Sequence, residues 1–157
     1  MQFEHLIEIN DPLNPLIDPL SRQQLWQGLV LRAESPGMFV PHLDECTLQP
    51  QADVLVRRLR YGKLVVVDRV LFEPLQQVVY EVAAQEEIAA SRLTMRIEEP
   101  ASGCLYVRFV YSDAHSEAQD AANAMYDEFR RSAYQEADID TIRIIRELAA
   151  EGRLNLC

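Results

Sequence analysis

The sequence predicts a single α+β domain in which an antiparallel sheet of about seven strands packs against a long C-terminal helix. Two patterns carry this prediction. Between residues 44 and 112, apolar and alternating segments are separated only by short breaks, and short connections join antiparallel neighbours. Residues 116–151 contain no proline or glycine and repeat apolar side chains at helical spacing. The length of 157 residues fits one domain, which we place over residues 1–157.

The remaining elements follow from local signals. A first strand is predicted at residues 2–9, where Phe3, His5 and Ile7 alternate with polar side chains. We expect two short helices after it. The first is predicted over residues 21–34, where Ser21 and Gln24 have the spacing of a capping box. The later strands are predicted at residues 44–50, 54–61, 64–73, 78–85, 91–99 and 104–112.

The turn at Gly62-Lys63 predicts the register of one hairpin. Glycine at the first central position suits a two-residue type II′ turn, which pairs Tyr61 with Leu64 and Arg57 with Asp68. The face that carries this ion pair is the more apolar one, so we expect it to point toward the core. Two interpretations stay open: the pair fixes the polar end of a ligand in an apolar cavity, or the face is inverted or lies at an open rim.

The second half of the C-terminal helix poses a problem of length and direction. About 36 residues at ~1.5 Å each span roughly 54 Å, whereas a domain of this size is roughly 40 Å across. The apolar stripe that starts at residue 118 also changes face near Ile142 and Ile145. Asp138 can cap a new helix start. We therefore predict a kink or break near residues 138–141, or a homodimer formed through residues 139–149.

The amino-acid composition limits the classes of partner that we expect the protein to bind. With 15 Lys and Arg against 25 Asp and Glu, the net charge of −10 disfavours nucleic acids as partners. No segment approaches the ~20 apolar residues that cross a membrane, so we expect no membrane insertion. The three cysteines form no CxxC motif, and the N-terminus lacks the features of a signal peptide. These features predict reduced thiols and a cytoplasmic location.

Motifs of cofactor and metal chemistry are absent from the sequence. The glycines are isolated, which removes phosphate-binding loops, and we predict no cofactor. His42, Asp44, Glu45 and Cys46 do not have zinc-site spacing, so we predict no metal. His5 lies on the apolar side of the first strand as either a core histidine or a general base. The sequence therefore assigns no catalytic residue.

Three stretches carry a family resemblance: FEHLIEINDPLNPLIDPLSRQQLW at residues 3–26, LTMRIEEP at 93–100 and YDEFRRSAYQEADIDTIRIIREL at 126–148. They resemble the SRPBCC (START/Bet v 1-like) superfamily and, within it, the AtaL-like family of mostly uncharacterised bacterial proteins. The resemblance implies a helix-grip fold, in which a curved sheet surrounds the C-terminal helix, and an apolar cavity between the two as the usual ligand site.

From this resemblance we expect binding of a hydrophobic small molecule, apolar or aromatic, in the cavity. One alternative is a polyketide-cyclase-like enzyme acting on a hydrophobic substrate, with Arg57, Asp68 or His5 moving protons. Another is a co-chaperone-like interaction module without a ligand. The aromatic and methionine pattern fits a pocket and a packed core equally well. The predicted cavity residues are Trp26, Arg57, Tyr61, Asp68, Tyr80, Met95, Phe109, Tyr111, Met125 and Phe129.

Overall fold

The computed structural model describes residues 2–85, 88–113 and 124–154, with the backbone alone at residues 124–127. The described elements are seven strands, two α-helices and one 3₁₀ turn. The strands are β1 Gln2–Glu8, β2 Glu45–Gln51, β3 Val54–Tyr61, β4 Leu64–Glu73, β5 Gln77–Val82, β6 Ser91–Ala101 and β7 Cys104–Asp113. The helices are α1 Arg22–Glu34 and α2 Ala124–Ala150, and the 3₁₀ turn covers Pro36–Met38.

The strands form one curved antiparallel sheet in the order β1-β7-β6-β5-β4-β3-β2. Every connection from β2 to β7 joins direct neighbours, as the short predicted turns require. The chain leaves β1 at one edge, forms α1, and enters β2 at the opposite edge. The predicted fold class is therefore confirmed, including the number of strands.

The hairpin between β3 and β4 has the predicted register. Gly62 has φ +61°, and Tyr61 pairs with Leu64 while Arg57 pairs with Asp68. Leu59 is buried on the same face of β3 as Arg57, so this inner face points into the protein. Both charged residues are only 5% exposed. The alternative of an inverted sheet face is therefore wrong.

The predicted capping box at the start of α1 is also confirmed. The Ser21 side chain accepts a hydrogen bond from the Gln24 backbone, and the Gln24 side chain accepts one from the Ser21 backbone. The expectation of two short helices is wrong, because the second is only the 3₁₀ turn Pro36–Met38. Proline is tolerated in a first helical turn, but Pro41 has no N–H with which to continue a helix.

Helix α2 runs without interruption through residues 138–141, so the predicted break is wrong, whereas a kink there stays a prediction. Asp138 caps no new helix; its side chain is fully buried and contacts His5 and Tyr111. The predicted helix start at Ser116 lies outside the described residues. The C-terminal end agrees with expectation, since Gly152 follows the helix with φ +70°.

The second half of α2 is the half that packs into the domain. Ile142, Ile145 and Leu148 are buried in the main core. The Ile145 side chain lies so close to Gly28 of α1 that a Cβ at Gly28 would be 2.7 Å from it. The predicted homodimer through residues 139–149 rested on these apolar side chains needing a partner, and that reason is removed. Phe129 in the first half is instead 72% exposed.

Candidate functional site: a cavity between the sheet and the helices

A cavity of about 300 Å³ lies between the inner face of the sheet, α1 and the N-terminal half of α2. Its walls carry aromatic, apolar and charged side chains from every layer of the domain. The lining residues are Arg32, Pro36, Val40, Arg57, Leu59, Tyr61, Asp68, Tyr80, Val82, Ser91, Arg92, Leu93, Tyr111, Ser112, Asp113, Arg130 and Tyr134. The space meets the lower limit of roughly 300 Å³ that is usual for small-molecule pockets.

The Arg57–Asp68 ion pair forms part of the cavity wall. Arg57 Nε donates to Asp68 Oδ1 at 2.9 Å, and Arg57 Nη2 donates to Asp68 Oδ2 at 2.6 Å. Arg57 Nη1 donates to the Ala33 carbonyl at 3.0 Å. Burial acts to lower the pKa of Arg57, but the hydrogen bond and charge of Asp68 outweigh it and raise that pKa. The pair is thus satisfied internally and joins β3, β4 and α1.

A second polar group connects α2 to the sheet. Tyr111 donates its hydroxyl to the Asp138 carboxylate, 2.7 and 2.8 Å from its two oxygens. His5 Nε2 lies 2.6 Å from Asp138 Oδ2. Burial raises the pKa of Asp138, although the hydrogen bonds from Tyr111 and His5 act to lower it. Burial and the adjacent carboxylate raise the pKa of Tyr111, so its phenol stays protonated.

Arg32 and Tyr80 form a third polar group, beside the first two. Arg32 Nε donates to Thr141 Oγ1 at 3.4 Å, and no carboxylate of a described residue lies within ion-pair distance of its guanidinium. The guanidinium carbons of Arg32 and Arg57 lie 5.1 and 5.0 Å from the Tyr80 ring centroid. Among the described residues, the buried Tyr80 hydroxyl has no hydrogen-bond partner.

The Arg32 guanidinium remains charged in this setting. Burial acts to lower the pKa of Arg32, but the Tyr80 hydroxyl, the Tyr111 hydroxyl and the more distant Asp138 raise it overall. The cavity therefore contains a cation whose countercharge is at a distance.

Half of the predicted cavity residues line this space: Arg57, Tyr61, Asp68, Tyr80 and Tyr111. Four others do not. Met95 and Phe109 point inward as predicted, but they are fully buried in the core beneath α1 and the C-terminal half of α2. Trp26 packs edge-on against Phe72, with ring centroids 6.4 Å apart.

The other two predicted positions lie on α2. Phe129 is on the protein surface, because α2 presents a different face to the sheet from the one predicted. The side chain of Met125 lies outside the described part of the structure.

Two charged residues at this site were not predicted from the sequence, although the periodicity of their helices indicates that both face the protein interior. Arg32 lies three residues after Leu29 and seven after Leu25, on the buried stripe of α1. Asp138 lies seven residues before Ile145, on the buried stripe of α2. A charged residue on a buried stripe needs a partner or a function, so both positions were detectable from periodicity.

A wider groove of about 810 Å³ adjoins the cavity. The groove is also lined by Val56 and Val67 from the outer face of the sheet. The two spaces share six lining residues: Asp68, Val82, Ser91, Arg92, Ser112 and Asp113. We assign the candidate site to the smaller cavity, because side chains from the inner face, α1 and α2 enclose it.

Two further structural findings concern the described residues alone. They contain no group of three or more His, Cys, Asp or Glu side chains arranged to hold a metal ion. Within the same ranges, no helix has the length and apolar character needed to cross a membrane.

The family model for the acetylaranotin biosynthesis cluster protein L matches residues 7–152. The chain belongs to the AtaL family. The family resemblance seen in the sequence is thereby confirmed. No curated protein matches the sequence.

Solved structures show where this fold recurs. The di-domain aromatase/cyclase StfQ from the steffimycin biosynthetic pathway aligns with a TM-score of 0.69 and 9% identity, over 96% of this chain and 50% of that one. The ZhuI aromatase/cyclase from Streptomyces sp. R1128 aligns at 0.61 and 12% identity, over 99% and 96%. Ara h 8.0201 aligns at 0.61 and 13% identity, over 96% and 98%.

These likenesses confirm the helix-grip fold of the AtaL-family protein. This chain spans only half of the StfQ chain but nearly the whole of ZhuI and Ara h 8.0201. At such identities the likeness concerns the fold alone, and the function has to be argued from the cavity.

Proposed function

We propose that this protein binds a hydrophobic small molecule, apolar or aromatic, in the cavity between the sheet and α2. The observation that carries the proposal is the cavity itself. Protein interiors normally pack to near-crystalline density, yet about 300 Å³ stays open here beside Tyr61, Tyr80, Tyr111 and Tyr134. A space of this size suits a compound of two or three fused rings, since ligand pockets bury most of the surface of their ligands.

The walls supply both contact area and orientation. Leu59, Leu93 and the tyrosine rings offer apolar surface, while the charged groups lie on part of the lining. Tyr111 and Tyr134 stack with ring centroids 4.1 Å apart and an interplanar angle of 8°, which presents a flat aromatic surface. A planar ligand would pack against such a wall, and one polar substituent would set its direction.

Native mass spectrometry with a panel of two- and three-ring aromatic compounds tests the proposal. Leu93→Trp places added bulk in the cavity, and Leu6→Trp makes the same change at a 42% exposed position on β1. We expect complexes with the unmodified protein and the Leu6→Trp variant, and their loss in Leu93→Trp. Absence of any complex in the folded unmodified protein, or unchanged binding by Leu93→Trp, would contradict the proposal.

A second candidate is an enzyme acting on a hydrophobic substrate, which the likeness to aromatase/cyclase structures favours. The groups considered for proton transfer offer it less support. Arg57 and Asp68 bind each other, and His5 is engaged by Asp138. Substrate-dependent turnover that disappears in a folded Asp68→Asn variant would favour the enzyme.

Other partner predictions remain predictions. A co-chaperone-like module without a ligand would be favoured by a fully packed interior, and the open cavity argues against it. The cytoplasmic location rests on the cysteine content, and the exclusion of nucleic acids rests on the acidic charge.

A further inference from the structure

We propose that Arg32 and Tyr80 form a subsite for a negatively charged oxygen, a carboxylate or phenolate, carried by an aromatic ligand. The inference rests on the proposed function, because it names the ligand class that the same cavity takes. It assigns a role to two residues that the fold alone does not require.

The first observation is the unused hydrogen-bonding capacity of Arg32. A guanidinium has five N–H donors. The hydrogen bond from Arg32 to a described residue is a long contact of 3.4 Å from Nε to Thr141 Oγ1, and the nearby Tyr80 hydroxyl also interacts favourably with the guanidinium and raises its pKa. The residue nevertheless lies on the buried stripe of α1 and lines the cavity. Holding a cation there is costly unless an anion or acceptor completes its contacts.

The second observation is the unpartnered hydroxyl beside it. Tyr80 is 5% exposed, lines the same cavity, and has no hydrogen-bond partner for its hydroxyl among the described residues. Buried hydroxyls are nearly always paired. Arg32 beside it can only donate, so the proton of the Tyr80 hydroxyl still lacks an acceptor among the described residues, and its position at a ligand cavity points to one on the ligand. A ligand oxygen bound by Arg32 would supply that acceptor.

The other charged groups around the cavity are either engaged by a neighbour or exposed to water. Arg57 binds Asp68, Arg130 binds Asp113, and Arg92 is 56% exposed near Glu81. The buried carboxylates cannot replace the ligand, because the oxygens of Asp68 accept from Arg57.

The oxygens of the other buried carboxylate, Asp138, accept hydrogen bonds from Tyr111 and His5. Arg92 also has donors without a hydrogen bond to a described residue, but its side chain is 56% exposed to water. Among the described cavity-lining cations, Arg32 is thus the one on a buried helix stripe that has donors to spare. A planar guanidinium also matches the two oxygens of a carboxylate better than it matches an amide.

Calorimetric titration with 2-naphthoate and its neutral analogue 2-naphthamide tests the subsite. We expect the unmodified protein to bind 2-naphthoate about tenfold or more tightly than 2-naphthamide, as a charge-assisted hydrogen bond provides. Arg32→Met should abolish this preference, measured as the ratio of the two affinities within the same variant. Tyr80→Phe should reduce the preference severalfold. Arg58→Met, which removes an exposed arginine from β3, serves as the charge control and should keep the full preference.

The possible results distinguish a failure of the anion subsite from a failure of the proposed ligand binding in the cavity. Equal affinity for the two compounds would overturn the anion subsite and leave the proposed function standing. A preference that survives in both Arg32→Met and Tyr80→Phe would also overturn it. Binding of neither compound would contradict the proposed function, and the subsite with it. Circular dichroism checks folding, and Tyr80→Phe, which removes a single oxygen, decides the result if Arg32→Met does not fold.

Discussion

Removal of the Asp68 charge tests whether the Arg57–Asp68 pair supports the fold of the sheet. Asp68→Asn preserves the shape of the side chain but leaves the Arg57 guanidinium, 5% exposed, without its carboxylate. Two charge-assisted hydrogen bonds of 2.9 and 2.6 Å are weakened or lost. Breaking a buried ion pair from one side costs about 3–5 kcal/mol, because a charge is left buried and uncompensated. We expect the free energy of unfolding to fall by that amount.

The double variant Arg57→Met/Asp68→Leu distinguishes the cost of leaving one buried charge unpaired from the cost of changing these two side chains. It removes both charges and restores apolar contact, so its cost should be clearly smaller than that of Asp68→Asn. A residual loss of about 1–3 kcal/mol is expected, because the Ala33 carbonyl loses the Arg57 donor. A large favourable coupling between the two substitutions is therefore the predicted signature.

Urea denaturation followed by circular dichroism at neutral pH measures these values. Arg143→Gln is the control, since it breaks a 2.8 Å pair with Glu147 in which both side chains are more than half exposed. Such surface pairs contribute about 0–1 kcal/mol. A cost for Asp68→Asn no larger than the cost for the control would refute the reasoning.

Three further predictions follow from single side chains. Tyr80→Phe should raise the free energy of unfolding by about 1 kcal/mol, since it removes an unpartnered buried hydroxyl; a decrease in chemical denaturation would contradict this. Gly28→Ala should destabilise by about 1–3 kcal/mol, because the new Cβ would be 2.7 Å from Ile145. Gly37→Ala meets nothing within 4 Å and should change stability by less than about 0.5 kcal/mol, so equal melting midpoints for the two variants would refute the overpacking. Burial raises the pKa of Asp138 above its ordinary value of 3.8. The stabilisation that its protonated carboxyl gives to the folded state is therefore fully present below pH 3.8 and is lost as the pH rises through the pKa of Asp138 in the folded protein. The stability of the unmodified protein relative to Asp138→Asn should therefore fall with rising pH over that window, and a constant difference would disprove it.

Features that depend on neighbouring residues were predictable from the sequence. The capping box at Ser21 and Gln24 joins atoms three residues apart, and the turn at Gly62 sets the Arg57–Asp68 register through one backbone conformation. Strand alternation then placed Arg57 and Asp68 on the inner face. These predictions held because each depends on a few adjacent torsion angles.

Features that depend on contacts between distant residues were not predictable from the sequence. The periodicity of α2 identified two apolar stripes, but it did not say which one faces the sheet, since a helix pattern gives a face and no partner. Ile145 packs against Gly28, and Phe129 is left in solvent. Tertiary packing also holds Asp138 inside an uninterrupted helix, where hydrogen bonds from two strands outweigh its weak helix propensity.

The sequence by itself determined the fold class, the antiparallel pairing of successive strands from β2 to β7 and the inward direction of the Arg57–Asp68 pair, because alternation, turns and caps act over a few residues. Only the tertiary structure decided where the cavity lies and which charged groups around it are satisfied. Arg32, Tyr80 and Asp138 are far apart in the chain, and their hydrogen bonding depends on how α1, β5 and α2 meet. That meeting leaves Arg32 with unused donors beside an open space, and no local pattern carries that information.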